Sequence, residues 1–316
     1  MENMIHIKKL DEGLSVFKAL ASELRIEIVK MLMENRQLSM NEIASGLGIT
    51  NGALTSHIKL LEKAGIVKIE NVRIGHGNQK ICKVATDQIL IDVESANDNQ
   101  EKQTYNTEIQ IGHYSDYKVY PTCGLATPEK LVGVADDARY FAHPDRINAE
   151  ILWFTKGYIE YMIPNMLPDA RVIDKITLSF EIGSEAPGYN NDWPSDIEFF
   201  INDIRLGMWT SAGDYGDVRG IFTPEWWVPN WNQYGMLKVL TIDMRGTFID
   251  GIKISDVSIN DLNLDYRSKI RFRYQVSEDA ANVGGITLYG KGFGNYNQDI
   301  KVHISYRPMQ RKMIQK

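Results

Sequence analysis

The chain has 316 residues, of which 43% are hydrophobic and 24% charged, and its formal net charge is -6. These values predict a soluble globular protein of two domains, without a signal peptide or the roughly 18–20 apolar residues that span a bilayer. The two cysteines, Cys82 and Cys123, lie far apart without CxxC spacing, which excludes a disulfide framework and a tetrahedral zinc site. We therefore expect a cytoplasmic protein with no membrane partner.

The charge is unevenly distributed along the chain. Residues 1–95 hold twelve basic and twelve acidic residues, so the remainder carries the whole negative excess. Within residues 50–83, six basic residues stand against two acidic ones, Glu62 and Glu70. A local positive excess inside an acidic protein indicates a surface suited to a polyanion.

Two helices are predicted in the stretch LSVFKALASELRIEIVKMLMEN. Ser22 separates them as a candidate N-cap. Apolar residues at helical spacing predict the buried side of each helix. They are Leu14, Phe17 and Leu20 in the first helix and Ile26, Val29, Leu32 and Met33 in the second.

A helix-turn-helix follows. Ser39 and Glu42 stand at capping-box spacing before a short apolar face, and Gly48 ends that helix. Thr50 caps the next helix, NGALTSHIKLLEKAG, which closes at Gly65. A short helix, a glycine-containing turn and a second amphipathic helix are typical of DNA-binding domains.

Projection of that second helix at 100° per residue separates two faces. Leu54, Ile58 and Leu61 share the side that faces a core. The opposite side is polar: it holds Gly52, Ser56, Lys59 and Lys63, with Thr55 on its flank. Hydroxyls reach phosphates or base edges and lysines neutralise phosphates, so this face suits a major groove, although an ordinary solvated helix face has the same composition.

Two strands are predicted next, at 66–72 and 79–84, joined by a tip at 75–77. A helix-turn-helix followed by a basic β-hairpin is a winged helix, whose tip lies along the DNA backbone. The candidate DNA-binding residues are Thr50, Asn51, Gly52, Thr55, Ser56, His57, Lys59, Lys63, Arg73, His76 and Lys80.

The segments FKALASELRIEIVKML and TSHIKLLEKAGIVKIE resemble the ArsR-type winged helix over roughly residues 10–90. The resemblance implies a homodimeric, usually repressing, DNA-binding module whose terminal helices pair the protomers, with Thr55 and Ser56 as groove contacts. His57 fits the motif but projects near the core edge, so a phosphate contact or a structural hydrogen bond competes with base reading. QLSMNEIA lacks the metal-binding cysteines of many members, and residues 86–95 show no clear match to their other ligands, so metal sensing by that route is not expected.

The first domain is predicted to span residues 1–95, followed by a polar linker at 96–106. Beyond it, short alternating apolar runs separated by Gly-, Asn- and Asp-rich turns predict an antiparallel β-sandwich or jelly roll over 107–316. The fold class is therefore multi-domain α+β. GKGFGN at 290–295 has the wrong spacing for a phosphate loop and is interpreted as a strand-to-strand turn.

Acidic residues of the second domain include pairs that suit glycosidase chemistry, but none carries a catalytic signature. They are Asp192, Asp196, Glu198, Asp203, Asp214, Asp217 and Glu225. We expect no enzyme activity and no cofactor. Binding of a structural Ca²⁺ ion by the turn carboxylates of the β-sandwich is left as an alternative.

Tryptophan marks the candidate ligand site. TPEWWVPNWNQYG holds three of the chain's six tryptophans between prolines that disfavour a helix or a central strand. Aromatic rings pack on the C–H faces of sugars while polar side chains bond the hydroxyls, although any one tryptophan could simply cap the core. The candidate ligand-binding residues are Asp192, Trp193, Trp209, Asp214, Tyr215, Arg219, Trp226, Trp227, Trp231 and Asn295.

Residues 202–227, 232–235 and 284–300 also resemble galactose-binding-like β-sandwich domains of some bacterial regulators. Together the two resemblances predict a repressor of double-stranded operator DNA that responds to a small saccharide. A glycan-active enzyme tethered to DNA, or a second domain used for assembly or partner binding, are the alternatives.

Overall fold

The computed structural model describes residues 4–7, 10–74, 77–86, 88–91 and 103–309. The chain divides into two compact units, residues 1–99 and 100–316, and each has its own hydrophobic core. Among the described residues, no helix is long and apolar enough to cross a membrane.

The first unit is a small helical domain with a β-hairpin. Its elements in chain order are β1 (Met4–Ile7), a 3-10 helix (Leu10–Gly13), α1 (Leu14–Leu20), α2 (Glu23–Asn35), β2 (Gln37–Ser39), α3 (Met40–Leu47), α4 (Asn51–Lys63), β3 (Val67–Ile74), β4 (Gly77–Val84) and β5 (Gln88–Ile91). Strands β2, β4 and β3 form one antiparallel sheet, and β1 pairs in parallel with β5. The winged helix predicted from the sequence is confirmed.

Side-chain caps set the helix-turn-helix, as the sequence predicted. The Ser39 hydroxyl accepts from the Glu42 N–H while the Glu42 carboxylate accepts from the Ser39 N–H, which completes the capping box. Gly48 ends α3 with φ +64°, a left-handed conformation that glycine adopts without a Cβ penalty. Thr50 then caps α4 by accepting from the Ala53 N–H.

The predicted apolar stripe of α2 is wrong in part. Leu32 is buried, as expected, but Ile28 fills the other core position, whereas Ile26 is 40% and Met33 47% exposed. Both sets follow a helical period, so periodicity alone did not decide which one faces α4 and the hairpin. Ser22 occupies the N-cap position, but its side chain makes no capping hydrogen bond.

A strand, rather than a terminal helix, follows the hairpin in the described part of the first unit. β5 lies beside β1, and Ile5 and Ile89 pack against the core of α-helices. The helical pairing element implied by the ArsR resemblance is therefore not found among residues 88–91.

The second unit consists of antiparallel strands. They are β6 (Gln103–Ile109), β7 (Asp116–Ala126), β8 (Ile151–Ile163), β9 (Arg171–Gly183), β10 (Ser195–Ile201), β11 (Ile204–Ser211), β12 (Met236–Asp243), β13 (Gly246–Ile249), β14 (Ile252–Ser255), β15 (Ile270–Val276), β16 (Ile286–Tyr289) and β17 (Ile300–Pro308). Short 3-10 helices at Ala138–Ala142 and Pro144–Asn148 cross the connection between β7 and β8. The predicted antiparallel, sandwich-like domain is confirmed.

The strands form two faces that share one twelve-stranded sheet. One face runs β7-β8-β15-β10-β11 and the other β6-β17-β9-β12-β13-β14, with short β16 pairing to both β8 and β9. The largest hydrophobic core lies between these faces. Sequence alternation did not indicate β8, because most of this strand is buried on both sides.

The two outer strands β11 and β14 come together and nearly close the sheet. Ser255 Oγ donates to the Leu206 carbonyl, and Ile254 packs against Gly207 so closely that a Cβ there would lie 2.8 Å from its side chain. Glycine at 207, with φ +145°, permits this approach.

The linker expected at 96–106 is shorter than predicted at its end, because β6 begins at Gln103. Tyr105 packs on the core of the second unit, and its ring lies 6.1 Å from that of Tyr306. An aromatic side chain in a polar stretch was the available signal for this strand.

Candidate functional site

The two faces of α4 separate as the sequence predicted. Leu54, Ile58 and Leu61 are buried in the first core, at 0–1% exposure. The outer face is exposed and consists of Asn51, Gly52, Ser56, Lys59 and Lys63. The helix thus presents a largely polar surface, with the exposed Leu60 beside it.

The hydroxyl groups on this surface are already oriented by the helix. Thr55 Oγ1 donates to the Asn51 carbonyl at 2.7 Å, and Ser56 Oγ donates to the Ala53 carbonyl at 2.8 Å. Because their hydrogens are used in this way, the oxygens are left as acceptors. Acceptors match amino groups of bases rather than phosphate oxygens, so this geometry suits base contact.

His57 lies at the core edge, half-buried. Its Nδ1 is buried and has no hydrogen-bond partner among the described residues. The ring therefore turns Nδ1 inward, which leaves Nε2 as the nitrogen available to an outside partner.

The basic residues fall into two groups. Glu70 binds Lys68 at 2.9 Å and Lys83 at 2.7 Å, and the hydrogen bond from Lys83, followed by that from Lys68, lowers the pKa of the Glu70 carboxyl. Lys59, Lys63 and Lys80 are exposed, and within residues 10–74 and 77–86 none of them forms an ion pair. These three cations therefore remain available for phosphates.

The structure does not describe the side chains of two predicted DNA-binding residues of the hairpin. His76 is outside the described residues, and the Arg73 side chain is outside them as well. Thr50 serves as the N-cap of α4, and Asn51 links the two helices by donating to Asn41 Oδ1 at 2.8 Å.

A cavity of about 230 Å³ lies between α4 and the hairpin. Thr55, Ile58, Lys59 and Glu62 line it from α4, Ile69, Asn71 and Lys80 from the strands, and Met40 from the start of α3. No local sequence pattern predicts this cavity, because it depends on how the hairpin packs against α4.

The tryptophan loop of the second unit forms an aromatic cluster. Trp227 is fully buried, with Trp231 5.0 Å, Phe293 5.1 Å and Trp153 5.7 Å from its ring centre. Its Nε1 donates to the Asn232 carbonyl at 2.8 Å. Trp227 therefore holds the loop on the sheet and lies out of reach of a ligand.

Trp226 and Trp231 lie at the surface of this cluster. Trp226 is 40% exposed, and its Nε1 donates to the Pro128 carbonyl at 2.5 Å, which fixes the ring. Trp231 is half-buried and packs on Trp153 and Trp227. Adjacent tryptophans thus have opposite environments.

Neighbouring loops interlock with this segment. Asn190 pairs with Asp214 and Tyr215 with Tyr234 as isolated bridges, and Tyr215 stacks on the Tyr234 ring at 5.3 Å. Arg219 donates to the Pro224 carbonyl at 2.6 Å. The loops at 186–193, 212–220 and 223–235 are therefore tied together, and we call them the loop platform.

The other predicted ligand residues differ in environment. Asp192 is exposed, while Trp193 is half-buried and its Nε1 has no partner among the described residues. Asn295 uses its side-chain oxygen to accept from the Ile221 N–H at 3.0 Å. Trp209 packs on the main core, with Lys238 Nζ 4.7 Å from its ring centre, so it stands apart from the aromatic cluster.

Buried carboxyl groups that the sequence did not single out hold the platform. Glu181 is fully buried and accepts from the N–H groups of Gly235, Asn295 and Tyr296 at 2.8–3.0 Å. Burial outweighs these bonds and raises its pKa to about 8. One carboxyl group thus ties two loops to β9.

Glu185 and Asp214 form a second buried polar group. Glu185 accepts from Thr122, Asn232 and Thr287, and burial, followed by the charge of Asp214, raises its pKa well above the usual value. Burial also raises the pKa of Asp214 to about 7, while its Oδ2 accepts from the Ala186 N–H. Both groups stabilise loops rather than face solvent.

Most of the acidic residues considered for catalysis have structural partners. Arg205 donates to Glu198, Arg271 and Arg273 to Asp203, and Tyr234 to Asp217. Asp196 accepts from Thr210 and Asn282. Within the described part of the chain, no group of three His, Cys, Asp or Glu side chains has metal-ligand geometry.

The first unit is similar to known DNA-binding proteins. Residues 22–68 match the winged helix-turn-helix DNA-binding family. A helix-turn-helix transcriptional regulator of Methanocaldococcus jannaschii is 32% identical over 62 residues, which cover 20% of this chain and 70% of the relative.

Two solved structures are also similar. HlyU of Vibrio cholerae is 26% identical with a TM-score of 0.22, covering 25% of this chain and 79% of its own. A homodimeric winged helix-turn-helix domain of Mycobacterium bovis is 24% identical with a TM-score of 0.22, covering 25% of this chain and 68% of its own.

The capped helix-turn-helix, its polar outer face and the hairpin define a winged helix DNA-binding domain. The chain belongs to the helix-turn-helix transcriptional regulators, with this domain followed by a large antiparallel β domain.

Proposed function

We propose that the protein is a homodimeric repressor that places α4 in the major groove of a pseudo-palindromic operator, one helix per half-site. The observation that carries this proposal is the polar side of α4, where the acceptor hydroxyls of Thr55 and Ser56 accompany two exposed lysines, Lys59 and Lys63. Ser56 and Thr55 would contact bases, while Lys59, Lys63 and Lys80 would neutralise phosphates. The homodimeric M. bovis domain agrees with the proposed assembly.

Selection of bound duplexes from a random pool tests the proposed dimeric binding to an operator. We expect recovered sites with two inverted half-sites about one helical turn apart and binding of two chains per duplex. Repression is measured with a reporter gene placed downstream of the recovered site. Recovery of sites without inverted symmetry, or of one chain per duplex, would contradict the dimeric arrangement.

We further propose that the loop platform binds a small saccharide that controls DNA affinity. The exposed ring of Trp226 and the half-buried ring of Trp231 give surfaces for sugar C–H groups, and the exposed Asp192 is a hydrogen-bonding group. The resemblance to galactose-binding-like domains supports this class of ligand. The rigid attachment of the platform reduces the ordering cost of binding.

A saccharide can alter DNA binding only through a difference in its affinity for the DNA-bound and DNA-free states. The test is tryptophan fluorescence of the whole protein across mono- and oligosaccharides, followed by gel shifts with each sugar that binds. Sugar binding without any change in DNA affinity would contradict control by the saccharide. Sugar turnover would instead support a glycan-active enzyme, and unchanged fluorescence across the panel an assembly module.

A further inference from the structure

The cavity between α4 and the hairpin is lined by both apolar and cationic side chains. Met40, Ile58 and Ile69 contribute the apolar side, and Lys59 and Lys80 contribute the cations. Neither lysine has an ion-pair partner among residues 10–74 and 77–86. An apolar surface beside two exposed ammonium groups matches a ligand with a hydrocarbon body and one negative charge.

The volume of the cavity and the negative charge of Glu62 further restrict the class of ligand. At about 230 Å³ it is smaller than a typical drug-sized pocket, so it suits a fragment-sized molecule. The exposed Glu62 carboxyl also lines it, so a second negative charge on the ligand would meet repulsion.

We infer that this cavity binds small aromatic or branched aliphatic monocarboxylic acids in competition with DNA. The carboxylate lies between Lys59 and Lys80, and the hydrocarbon body lies on Met40, Ile58 and Ile69. The competition rests on the proposed DNA interface, because the same two lysines neutralise phosphates there. A bound acid therefore releases DNA directly from the first unit, independently of any saccharide.

Benzoate is the probe, titrated into the whole protein without DNA and followed by the methyl signals of labelled methionine and isoleucine. We expect saturable shifts at Met40, Ile58 and Ile69. Benzyl alcohol has the same ring without the charge, phthalate adds a second charge, and inorganic phosphate lacks the apolar body. Each should bind at least tenfold more weakly, and equal binding of any of them would overturn the proposal.

Two variants test the assignment of the site. Lys80→Gln should weaken benzoate binding at least fivefold, while the matched Lys68→Gln, whose lysine is paired with Glu70, should leave it unchanged. Ile69→Phe fills the apolar side and should abolish the shifts, with thermal unfolding recorded to show that it folds. Unaltered benzoate affinity in Lys80→Gln and Ile69→Phe would overturn the site.

Competition is measured with a DNA duplex by fluorescence anisotropy. Benzoate at ten times its Kd should raise the apparent Kd for DNA about tenfold, as expected for mutually exclusive ligands. Methyl shifts without any effect on DNA affinity would refute the competition and leave the DNA interface standing. Absence of DNA binding in benzoate-free buffer would refute the DNA interface, while the methyl shifts would still decide the cavity.

Discussion

At the residue scale, the neighbouring carboxyl groups of Glu150 and Asp299 show how burial in the second unit changes a pKa. Burial, followed by the charge of Asp299, raises the pKa of Glu150 to about 9. Lys291 lies 3.4 Å from Asp299 and 2.7 Å from Glu108, so one cation pairs with two carboxyl groups. Burial and mutual repulsion therefore favour a shared proton on the Glu150–Asp299 pair.

This pair predicts a pH-dependent stability. The folded pKa of Glu150 lies above its ordinary value of 4.5, so its contribution is fully present below pH 4.5 and is lost as pH rises through about 9. One proton gives a slope of at most ~1.4 kcal/mol per pH unit in this window. Glu150→Gln should be more stable than the parent at pH 8 and should reduce the slope, as measured by urea unfolding.

The control for that measurement is Glu225→Gln, which alters an exposed carboxylate of the tryptophan loop. It should leave both the slope and the stability at pH 8 unchanged. If Glu150→Gln and Glu225→Gln give identical profiles, Glu150 is not the group that titrates.

The adjacent tryptophans provide a second residue-scale prediction. Trp227→Ala removes a fully buried ring and should lower the free energy of unfolding by about 3–5 kcal/mol. Trp226→Ala loses an exposed ring and one hydrogen bond, so it should cost about 1 kcal/mol while weakening saccharide binding. Denaturant unfolding and sugar titration separate the two, and equal stability losses would contradict the assignment.

The buried carboxyl groups show why the sequence did not reveal all of this site. Glu181 alternates with Phe180 and Ile182 in β9, a pattern that predicts an outward, solvated carboxylate. It does leave the core, but the loops at 235 and 294–296 cover it. That covering comes from residues far away in the chain, and local alternation carries no information about it.

At the scale of elements, the helix-turn-helix was predictable because its signals are local. Capping at Ser39 and Thr50 and the left-handed Gly48 depend on residues within one turn. The choice of buried face in α2 depends on contacts with other elements, which explains the error at Ile26 and Met33. The hairpin strands were placed correctly, with ends that differ by one or two residues.

The division among the basic residues gives a prediction for the DNA-binding elements. Lys59→Ala and Lys63→Ala should each weaken binding to all duplexes and reduce the slope of log K against log salt by about 0.9. Lys68→Ala is the control, because its ammonium is paired with Glu70 and its loss should reduce the slope less. Ser56→Ala should change sequence preference more than the slope, and equal losses for all four on every duplex would contradict this division.

At the scale of the whole molecule, two separate cores predict two folding units. Residues 1–99 close around their own helices, and the second unit closes around its two sheet faces. The sequence predicts a domain boundary at 96–106. That the units on either side fold independently remains a prediction, because compactness alone does not establish that each is stable by itself.

Fragments test that independence. A fragment of residues 103–309 should keep its β-type circular dichroism and unfold cooperatively, and residues 1–99 should keep DNA binding without a saccharide response. The whole protein serves as the reference in both measurements. A 103–309 fragment that lacks cooperative unfolding would show that the second unit needs the first.

The seam between β11 and β14 has a consequence for assembly. An exposed strand edge offers unpaired backbone groups to a neighbouring chain and so promotes fibril growth. Here β11 and β14 contact each other through the Ser255 hydrogen bond and the close approach at Gly207. Replacing Gly207 with a bulky residue would separate β11 from β14. The exposed strand edges would then cause aggregation of chains that are still largely folded.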